Sequence, residues 1–316
     1  MYLFTSMAAM WLALMSGEVA ESLAPGTPVT RLTAIATSQE ASLSNQDNGF
    51  VTLATRYKRV VFIPSVRRIT LDGIAVYMNG PFESGLDGGH VSTVDAGTVL
   101  EPLLQGTSAP PLPSTPPLIV LDPGHGGEDP GAVGINFVTE KDVVLVITKR
   151  LRSALVQSGV QVRLTREDDR YLSLGDRISL VRQWRADAFI SIHLNSSANH
   201  TAGGVETFVL PARGFPSTSN GTNGDGDYPG NRYDAENTRL AFFIQKGLLY
   251  QTQGEDRGLR RARYEVLRDA PCPAILAECG FVTNRKEAKL LQQPAYCERV
   301  AQGLASGLLT YISRRE

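Results

Sequence analysis

Two histidines and a glutamate stand where apolar segments of the sequence end or a helix begins, and their side chains could bind a metal. His125 follows the apolar run LIVLD in a glycine-rich turn, and His193 lies near the end of a second run, DAFISIHL. Glu140 opens a strongly periodic helix. Taken singly, each histidine is equally compatible with a structural role. Together the three form a His₂Glu set, which is typical of catalytic zinc sites that keep a fourth position for water.

A further carboxylate, Glu278, ends the apolar run PAILAE. Such a position is costly in free energy unless the group is paired or functional. Glu278 is a candidate to orient and deprotonate a zinc-bound water, whose pKa the metal lowers to about 7, and then to protonate a leaving amine. The residues therefore indicate hydrolysis by a metal-activated water, with Glu278 as general base and acid.

Two polar residues are candidates for supporting roles. Asp122 precedes His125 by three positions and is expected either to accept the second ring N–H of a ligand histidine or to cap a strand end. Asn195 follows His193 on the same strand face, and either binds amide or carbonyl groups of the substrate or is structural. Four arginines before the Glu278 strand are candidates for substrate carboxylates or for a solvated face: Arg257, Arg260, Arg261 and Arg263.

Composition excludes several classes of protein. The 316 residues carry 31 Lys and Arg against 32 Asp and Glu, so no global field attracts nucleic acid or an anionic membrane. Three cysteines without a CxxC pair exclude a disulfide scaffold and a zinc ribbon. The glycine-rich turn lacks the Gly-Lys-Ser/Thr ending of a phosphate loop and does not complete G-x-G-x-x-G. Any metal site must be built from histidines and carboxylates.

The N-terminal residues of the sequence could form a signal peptide for export. The apolar run at 2–15 is shorter than the roughly 18 residues that a membrane span needs, and no span is predicted. Its length suits a signal peptide over residues 1–22, with Ala20 and Ser22 as small residues at a cleavage site. No Lys or Arg precedes Arg31, so the usual positive region is missing; a mis-chosen start codon or a buried N-terminal helix is the alternative. An exported protein is the expectation.

Composition shifts divide the chain into parts. Residues 23–58 resemble a loop or loosely ordered lead-in, and short β-like runs follow, including a hairpin at Asp72-Gly73 and a run at 92–104. Residues 23–105 are therefore predicted to form a small β-rich domain of unknown role. Five prolines in 106–117 indicate a semi-rigid linker.

In residues 118–316, strand patterns and helix patterns alternate. The continuous apolar runs are typical of strands buried on both faces, and helical patterns alternate with them. The predicted strands lie at 117–122, 160–165, 187–194, 205–210 and 273–278, and the predicted helices at about 140–158, 174–186, 235–253, 285–292 and 295–313. The fold class is therefore α/β, a mostly parallel sheet flanked by helices, preceded by the small β-rich domain.

These residues resemble the zinc-dependent N-acetylmuramoyl-L-alanine amidases of bacterial cell-wall turnover. The resemblance covers about 118–313 and implies a twisted sheet, one Zn²⁺ bound by His125, Glu140 and His193, and Glu278 as the catalytic carboxylate. It implies cleavage of peptidoglycan between N-acetylmuramic acid and L-alanine, outside the cytoplasm, in the periplasm or cell wall. The matching segments are LDPGHGGEDPGAVG, TEKDVVL, VRLTREDD, SLGDRISLVRQWRADAFISIHLNSS, GGVETFVL and RGLRRARYEVLRDAPCPAILAECGFVTNRKEAKLL.

Two features depart from the family pattern. The polar segment 211–237 falls where some relatives carry a regulatory helix over the zinc, and its composition predicts an open, accessible site. Cys279 follows Glu278 and raises a rival, a thiol amidase that uses Cys279 and His193. Adjacent strand residues face opposite sides, so Glu278 and Cys279 cannot both face the site. The other alternative is a non-catalytic peptidoglycan-binding module that has kept the fold.

Overall fold

The computed structural model describes residues 20–46, 49–105, 112, 114–134, 137–218, 224 and 226–313. The apolar run at 2–15 and most of the proline-rich segment lie outside these residues. Within the described part of the chain, no helix is long and apolar enough to cross a membrane.

The N-terminal part of the chain contains short strands and helical turns. The strands are β1 (Val29–Arg31), β2 (Ser42–Asn45), β3 (Val51–Ala54), β4 (Arg59–Phe62), β5 (Arg68–Leu71), β6 (Ile74–Tyr77) and β7 (His90–Ser92). The helices are α1 (Leu32–Ser38), α2 (Thr93–Asp95), a π-helical turn (Ala96–Leu100) and α3 (Glu101–Leu104). Asp72 and Gly73 form the predicted tight turn between β5 and β6, both with positive φ, as this type of hairpin requires.

Two expectations for this part were wrong. The stretch 92–104 was expected to be β-like, but it forms α2, the π-helical turn and α3, because its buried side chains recur at helical spacing: Ala96, Val99, Leu100, Leu103 and Leu104. The lead-in at 23–58 was expected to be a loop, but it contains β1 to β3 and α1. Leu32, Ile35 and Ala36 give α1 one buried face.

The C-terminal part alternates strands and helices, as predicted. Its strands are β8 (Leu118–Pro123), β9 (Gln161–Leu164), β10 (Ala188–Asn195), β11 (Val205–Val209), β12 (Asp256–Arg261) and β13 (Ala274–Phe281). Its helices are α4 (Glu140–Gln157), α5 (Leu174–Trp184), α6 (Asp234–Thr252), α7 (Glu265–Arg268), α8 (Arg285–Leu291) and α9 (Pro294–Ser313), with a 3-10 helix at Pro229–Tyr233. Strand β12 was missed, because three of its six residues are arginines and it contains no apolar run.

One sheet of eleven strands runs through both parts of the chain, in the order β2-β3-β4-β5-β6-β12-β11-β13-β10-β8-β9. The pairs from β12 to β9 are parallel except β11 with β13, and those from β2 to β6 are antiparallel. Strand β6 joins the halves by pairing in parallel with β12. Strands β2 to β6 therefore extend the sheet of residues 118–313 across the predicted boundary, while β1 and β7 pair with each other in a separate sheet.

Helices cover both faces of this sheet. Alternate residues of β8 and β10 point to opposite sides, so Ile119 and Ile190 belong to the larger core with α4, α6 and α9. Val120 and Phe189 belong to a second core, with Ile178 of α5 and Val266 of α7. The candidate residues of β8, β10 and β13 lie on this second face, where their strands end.

Candidate metal and catalytic site

The structure brings three of the predicted residues together at the carboxyl ends of β8 and β10. One ligand atom from each of His125, Glu140 and His193 lies within 4.8 Å of the other two. Glu140 Oε1 is 2.9 Å from His193 Nδ1 and 3.2 Å from His125 Nε2. The two imidazole rings meet edge to face, with centroids 5.0 Å apart. This edge of an open α/β sheet is where ligands bind.

Glycines make room for this cluster. Gly124 begins the turn after β8, and a Cβ at this position would lie 2.3 Å from Cε1 of His193. A Cβ at Gly131 would lie 2.6 Å from Cδ2 of His125 and 2.7 Å from a carboxylate oxygen of Glu140. The glycine-rich turn therefore serves close packing of ligand side chains.

His125 adopts a left-handed backbone conformation, with φ of 59°. For a residue with a Cβ this conformation costs roughly 1–2 kcal/mol, so surrounding contacts must hold it. Arg177 of α5 donates to the His125 carbonyl oxygen at 2.8 Å and to that of Pro123 at 2.9 Å. The buried Arg166 donates to the carbonyl oxygens of Pro123 and Gly124 at 3.0 and 2.7 Å. Two buried arginines therefore clamp the turn that carries His125.

Glu140 is the first residue of α4 and is almost fully buried. Its carboxylate accepts hydrogen bonds from the backbone N–H of Ala132 at 2.9 Å and of Leu194 at 3.0 Å. Burial alone would raise the pKa of Glu140, but its hydrogen bonds to His125 and His193 outweigh burial and hold the pKa well below its usual range. Glu140 is therefore an ionised, fixed acceptor. Thr139 bonds to the side chain of Asp142 and not to the helix backbone, so its side chain does not cap α4.

The expectation for Asp122 requires correction. Asp122 is buried, but it does not bond to His125; it accepts from Thr165 Oγ1 and Arg177 Nη1, both at 2.6 Å, and from Ser191 Oγ at 2.8 Å. The carboxylate next to His125 is Asp129, whose Oδ2 lies 2.7 Å from Nδ1. The physical reason is that the chain turns at His125 and Gly126, with φ of 59° and 128°, while Asp122 lies within β8 and faces Thr165 and α5. The spacing H-x-x-x-D in the turn was the signal that sequence reasoning missed.

Asn195 is tied to a buried carboxylate. Its Nδ2 donates to Oε1 of Glu206 on β11, across the intervening strand β13, and the β10–β13 pairing shifts register between His193 and Asn195. Glu206 also pairs with Arg257 at 3.3 Å and Arg260 at 3.4 Å. A structural role is therefore visible for Asn195, whereas its predicted contact with substrate stays a prediction.

The arginines of β12 and its surroundings serve the fold. Arg261 is buried and donates to the carbonyl oxygens of Tyr77 at 2.9 Å and Leu210 at 3.4 Å. Arg263 donates to the carbonyl oxygens of Phe215 and Gly224. In the structure, these two side chains therefore bind backbone carbonyl oxygens of the protein itself, and their predicted role toward substrate carboxylates has no support here.

Glu278 lines a cavity of about 470 Å³ that opens beside the cluster. Its neighbours in the sheet are His193 on β10 and Glu206 on β11. Its Oε2 is buried and makes no hydrogen bond within the described part of the chain. Burial, followed by the charges of Glu140 and Glu206, raises the pKa of Glu278 well above its usual range. Strong displacement of a cleft carboxylate's pKa by burial and neighbouring charges is typical of catalytic acids and bases.

Cys279 faces the opposite side of β13 and belongs to the larger core. Burial, with a smaller contribution from Glu278, raises the pKa of its thiol. All three cysteines are buried and free. A thiol of this kind is not a ready nucleophile, so the structure disfavours the thiol alternative.

The cavity walls come from the α5 and α7 side of the sheet. Its further lining includes Tyr171 and Leu174 on one side and Tyr264 and Val266 on the other. No described residue of the segment 211–237 lines this cavity, while residues 219–223 and 225 of that segment lie outside the description. Accessibility of the site remains a prediction.

Two imidazole nitrogens and a carboxylate oxygen that converge in this way fit a divalent metal of the zinc type. An open α/β sheet has such a cluster at its carboxyl edge, beside a carboxylate oxygen that has no hydrogen-bond partner among the described residues. This arrangement defines a metal-site hydrolase as the candidate class.

The chain belongs to the N-acetylmuramoyl-L-alanine amidase family, whose sequence model matches residues 119–310. The amidase AmiA of Escherichia coli strain K12 is 33% identical over 219 residues, which cover 62% of this chain and 76% of AmiA. A sporulation-specific amidase of Bacillus subtilis strain 168 is 35% identical over 60% of this chain and 66% of its own length. The structure of AmiC2 from Nostoc punctiforme aligns with a TM-score of 0.53 at 34% identity, covering 62% of this chain and 97% of AmiC2.

Proposed function

We propose that this amidase uses one zinc ion, held by His125, Glu140 and His193, to hydrolyse the amide between N-acetylmuramic acid and L-alanine in peptidoglycan. The observation that carries the proposal is the convergence of these three side chains within 4.8 Å, beside Oε2 of Glu278, which has no hydrogen-bond partner in the part of the chain that the structure describes. The names of the relatives support the choice of bond.

The residues divide the chemistry between them. A bound zinc ion supplies a Lewis acid, which polarises a carbonyl oxygen and acidifies water to a pKa of about 7. Glu278, placed one strand away from His193, takes the proton of the attacking water at Oε2 and transfers it to the leaving nitrogen of L-alanine. Its raised pKa in the metal-free site suits a group that must both accept and return a proton. Arg166 and Arg177 hold the backbone of His125 during these steps.

Product analysis tests this proposal. Purified peptidoglycan incubated with the zinc-loaded protein should release stem peptides with a free L-alanine amine and leave the lactyl carboxyl on muramic acid, as identified by mass spectrometry. Glu278→Gln should lower the rate by about 10²–10⁴-fold while still binding one zinc ion.

Cys279→Ser is the matched control, because it changes the neighbouring residue on the opposite face of the same strand. It should keep cleavage and zinc binding. Cleavage that survives Glu278→Gln and removal of zinc but is lost in Cys279→Ser would contradict the zinc mechanism and favour the thiol alternative. A protein that binds peptidoglycan without any cleavage would be the non-catalytic module.

The substrate also places the protein outside the cytoplasm. The supporting observation is the apolar run at 2–15, whose length suits a signal peptide. Cell fractionation should recover the protein in the periplasm or cell wall, and recovery in the cytoplasm alone would contradict export.

A further inference from the structure

A chain of buried hydrogen bonds connects His193 to the ion pair of Asp122 and Arg177. Ser191 Oγ is 2.8 Å from Asp122 Oδ2 and 3.1 Å from His193 Nε2. Asp122 and Arg177 pair at 2.6 Å, with side chains 1% and 3% exposed. The chain therefore runs from a fixed charge to the ring of a candidate ligand.

The charge of Asp122 determines the direction of each hydrogen bond. Burial would raise the pKa of Asp122, but Arg177 and the hydroxyls of Thr165 and Ser191 outweigh burial and lower it. An ionised carboxylate only accepts hydrogen bonds, so the single hydroxyl proton of Ser191 points to Asp122. The Ser191 oxygen is then left as an acceptor, and it receives the N–H at Nε2 of His193.

The same reasoning applies to His125. Asp129 accepts the N–H at Nδ1 of His125 at 2.7 Å. A ring that binds metal is neutral and has one N–H to donate, and in that state both rings donate it away from Glu140. The unprotonated nitrogens, Nε2 of His125 and Nδ1 of His193, then face the carboxylate of Glu140 at 3.2 and 2.9 Å. When a metal replaces the protons that the metal-free imidazoles share with Glu140, these two nitrogens and the carboxylate oxygen are the atoms left to bind it.

We propose that Ser191 is a positioning residue, which fixes the tautomer of His193 so that Nδ1, and not Nε2, is the metal ligand. The inference rests on the proposed zinc site. It means that the two histidines bind through different ring nitrogens, His125 through Nε2 and His193 through Nδ1, because their second partners differ.

Two variants separate this role from a general structural one. Ser191→Ala removes the acceptor for His193 and one hydroxyl donor to Asp122. Thr165→Val is the matched control, because Thr165 is equally buried and its hydroxyl also donates to Asp122, but no hydrogen bond links its side chain to a histidine among the described residues. Both variants lose a buried hydrogen bond to the same carboxylate, so any general effect on stability should be similar. Only Ser191→Ala also removes the acceptor for His193, and only this variant should alter the metal site.

The test measures zinc affinity by chelator competition and the tautomer of His193 by ¹⁵N NMR of histidine-labelled protein, which contains four histidines. We expect zinc-loaded wild type to carry the proton of His193 on Nε2. Ser191→Ala should show a mixture of tautomers when metal-free and a zinc affinity lower by about 10–100-fold. Thr165→Val should keep the wild-type tautomer and an affinity within about threefold of wild type, the usual spread of such effects.

A zinc-loaded wild type with the proton on Nδ1 of His193 would overturn the inference without any variant. Equal losses of zinc affinity in Ser191→Ala and Thr165→Val would also overturn it. Failure of the wild type to bind zinc at all would instead contradict the proposed function, so the two failures can be told apart.

Discussion

Two glutamates of the site differ in their environment, and this difference supports the roles proposed for them. Glu140 is surrounded by donors, and its pKa is held low, whereas Glu278 is buried beside two other carboxylates, and its pKa is raised. A carboxylate that stays ionised suits a ligand, and one that exchanges a proton suits an acid and base. The environment, more than the residue type, distinguishes the two.

Zinc affinity should depend on pH through His125. Burial lowers the pKa of His125, but hydrogen bonds to Glu140 and Asp129 outweigh burial and raise it above its usual value in the metal-free protein. A protonated imidazole cannot bind metal, so zinc must displace a proton. Affinity should be constant at pH values above the pKa of His125 and should fall by about tenfold per pH unit below it.

Calorimetric titrations between about pH 5.5 and 8 check this dependence. Asp129→Asn removes one of the charges that raise the pKa of His125, so its loss of affinity should begin at a lower pH than in wild type. An affinity that is independent of pH across this range would contradict the assignment of His125 as a ligand.

At the scale of elements, helix α6 contains a group that makes stability depend on pH. Asp234 begins this helix, and burial raises its pKa to about 6, against the opposing effects of Arg261 and Asn231. The folded state therefore holds a proton that the unfolded state, with an ordinary pKa near 4, releases. This contribution to stability is fully present below about pH 4 and is lost as pH rises through 6.

The free energy of unfolding should therefore fall by up to about 2–3 kcal/mol between pH 4 and 6.5 because of Asp234. Urea unfolding of wild type and Asp234→Asn at several pH values measures the pH-dependent contribution of Asp234 to the free energy of unfolding. This contribution should be absent in the variant. An unchanged pH dependence in Asp234→Asn would show that another group is responsible.

The elements of the C-terminal part were predictable because their patterns are strong. The apolar run of β10 and the four-residue spacing of Val143, Ile147, Leu151 and Leu155 each fit one structure only. Strand β12 was not predictable in this way, since its Arg261 is buried through hydrogen bonds to carbonyl oxygens of β6 and of a loop, and these partners are distant in sequence.

The site residues also differ in whether the local sequence pattern could predict them. The proposed ligands His125, Glu140 and His193 were predictable because each stands next to the end or the start of a recognisable strand or helix. The carboxylate that hydrogen-bonds to His125 was not predicted correctly. Whether Asp122 or Asp129 lies next to His125 depends on the path of the glycine-rich turn, with φ of 59° at His125 and 128° at Gly126. Local pattern does not specify such a path.

At the scale of the whole molecule, residues 20–105 are joined to the amidase part by more than a linker. The N–H of Ala75 donates to Asp256 at 2.7 Å, and the N–H of Ala212 donates to Asn79 at 2.8 Å. Arg239 of α6 donates to the carbonyl oxygen of Pro102 at 2.7 Å. These contacts are buried or half-buried, and the sheet continues through β6 and β12.

Full-length protein should therefore unfold in one cooperative transition. A fragment that begins at residue 112 exposes the edge of β12 and leaves buried Arg261 without the carbonyl of Tyr77. Its midpoint of thermal unfolding should be lower by about 5 °C or more, since 1 kcal/mol corresponds to roughly 2–4 °C at this size. Calorimetry of both proteins makes the comparison, and two separate transitions in the full-length protein would favour independent domains.

The central claim is that His125, Glu140 and His193 bind one zinc ion beside Glu278. Anomalous diffraction at the zinc absorption edge, from crystals grown with one equivalent of zinc, tests it most directly. We predict a single strong peak at about 2.0–2.2 Å from His125 Nε2, His193 Nδ1 and a carboxylate oxygen of Glu140, with Glu278 facing the open side. A peak at other residues, or zinc bound through Glu278 in place of Glu140, would contradict the account.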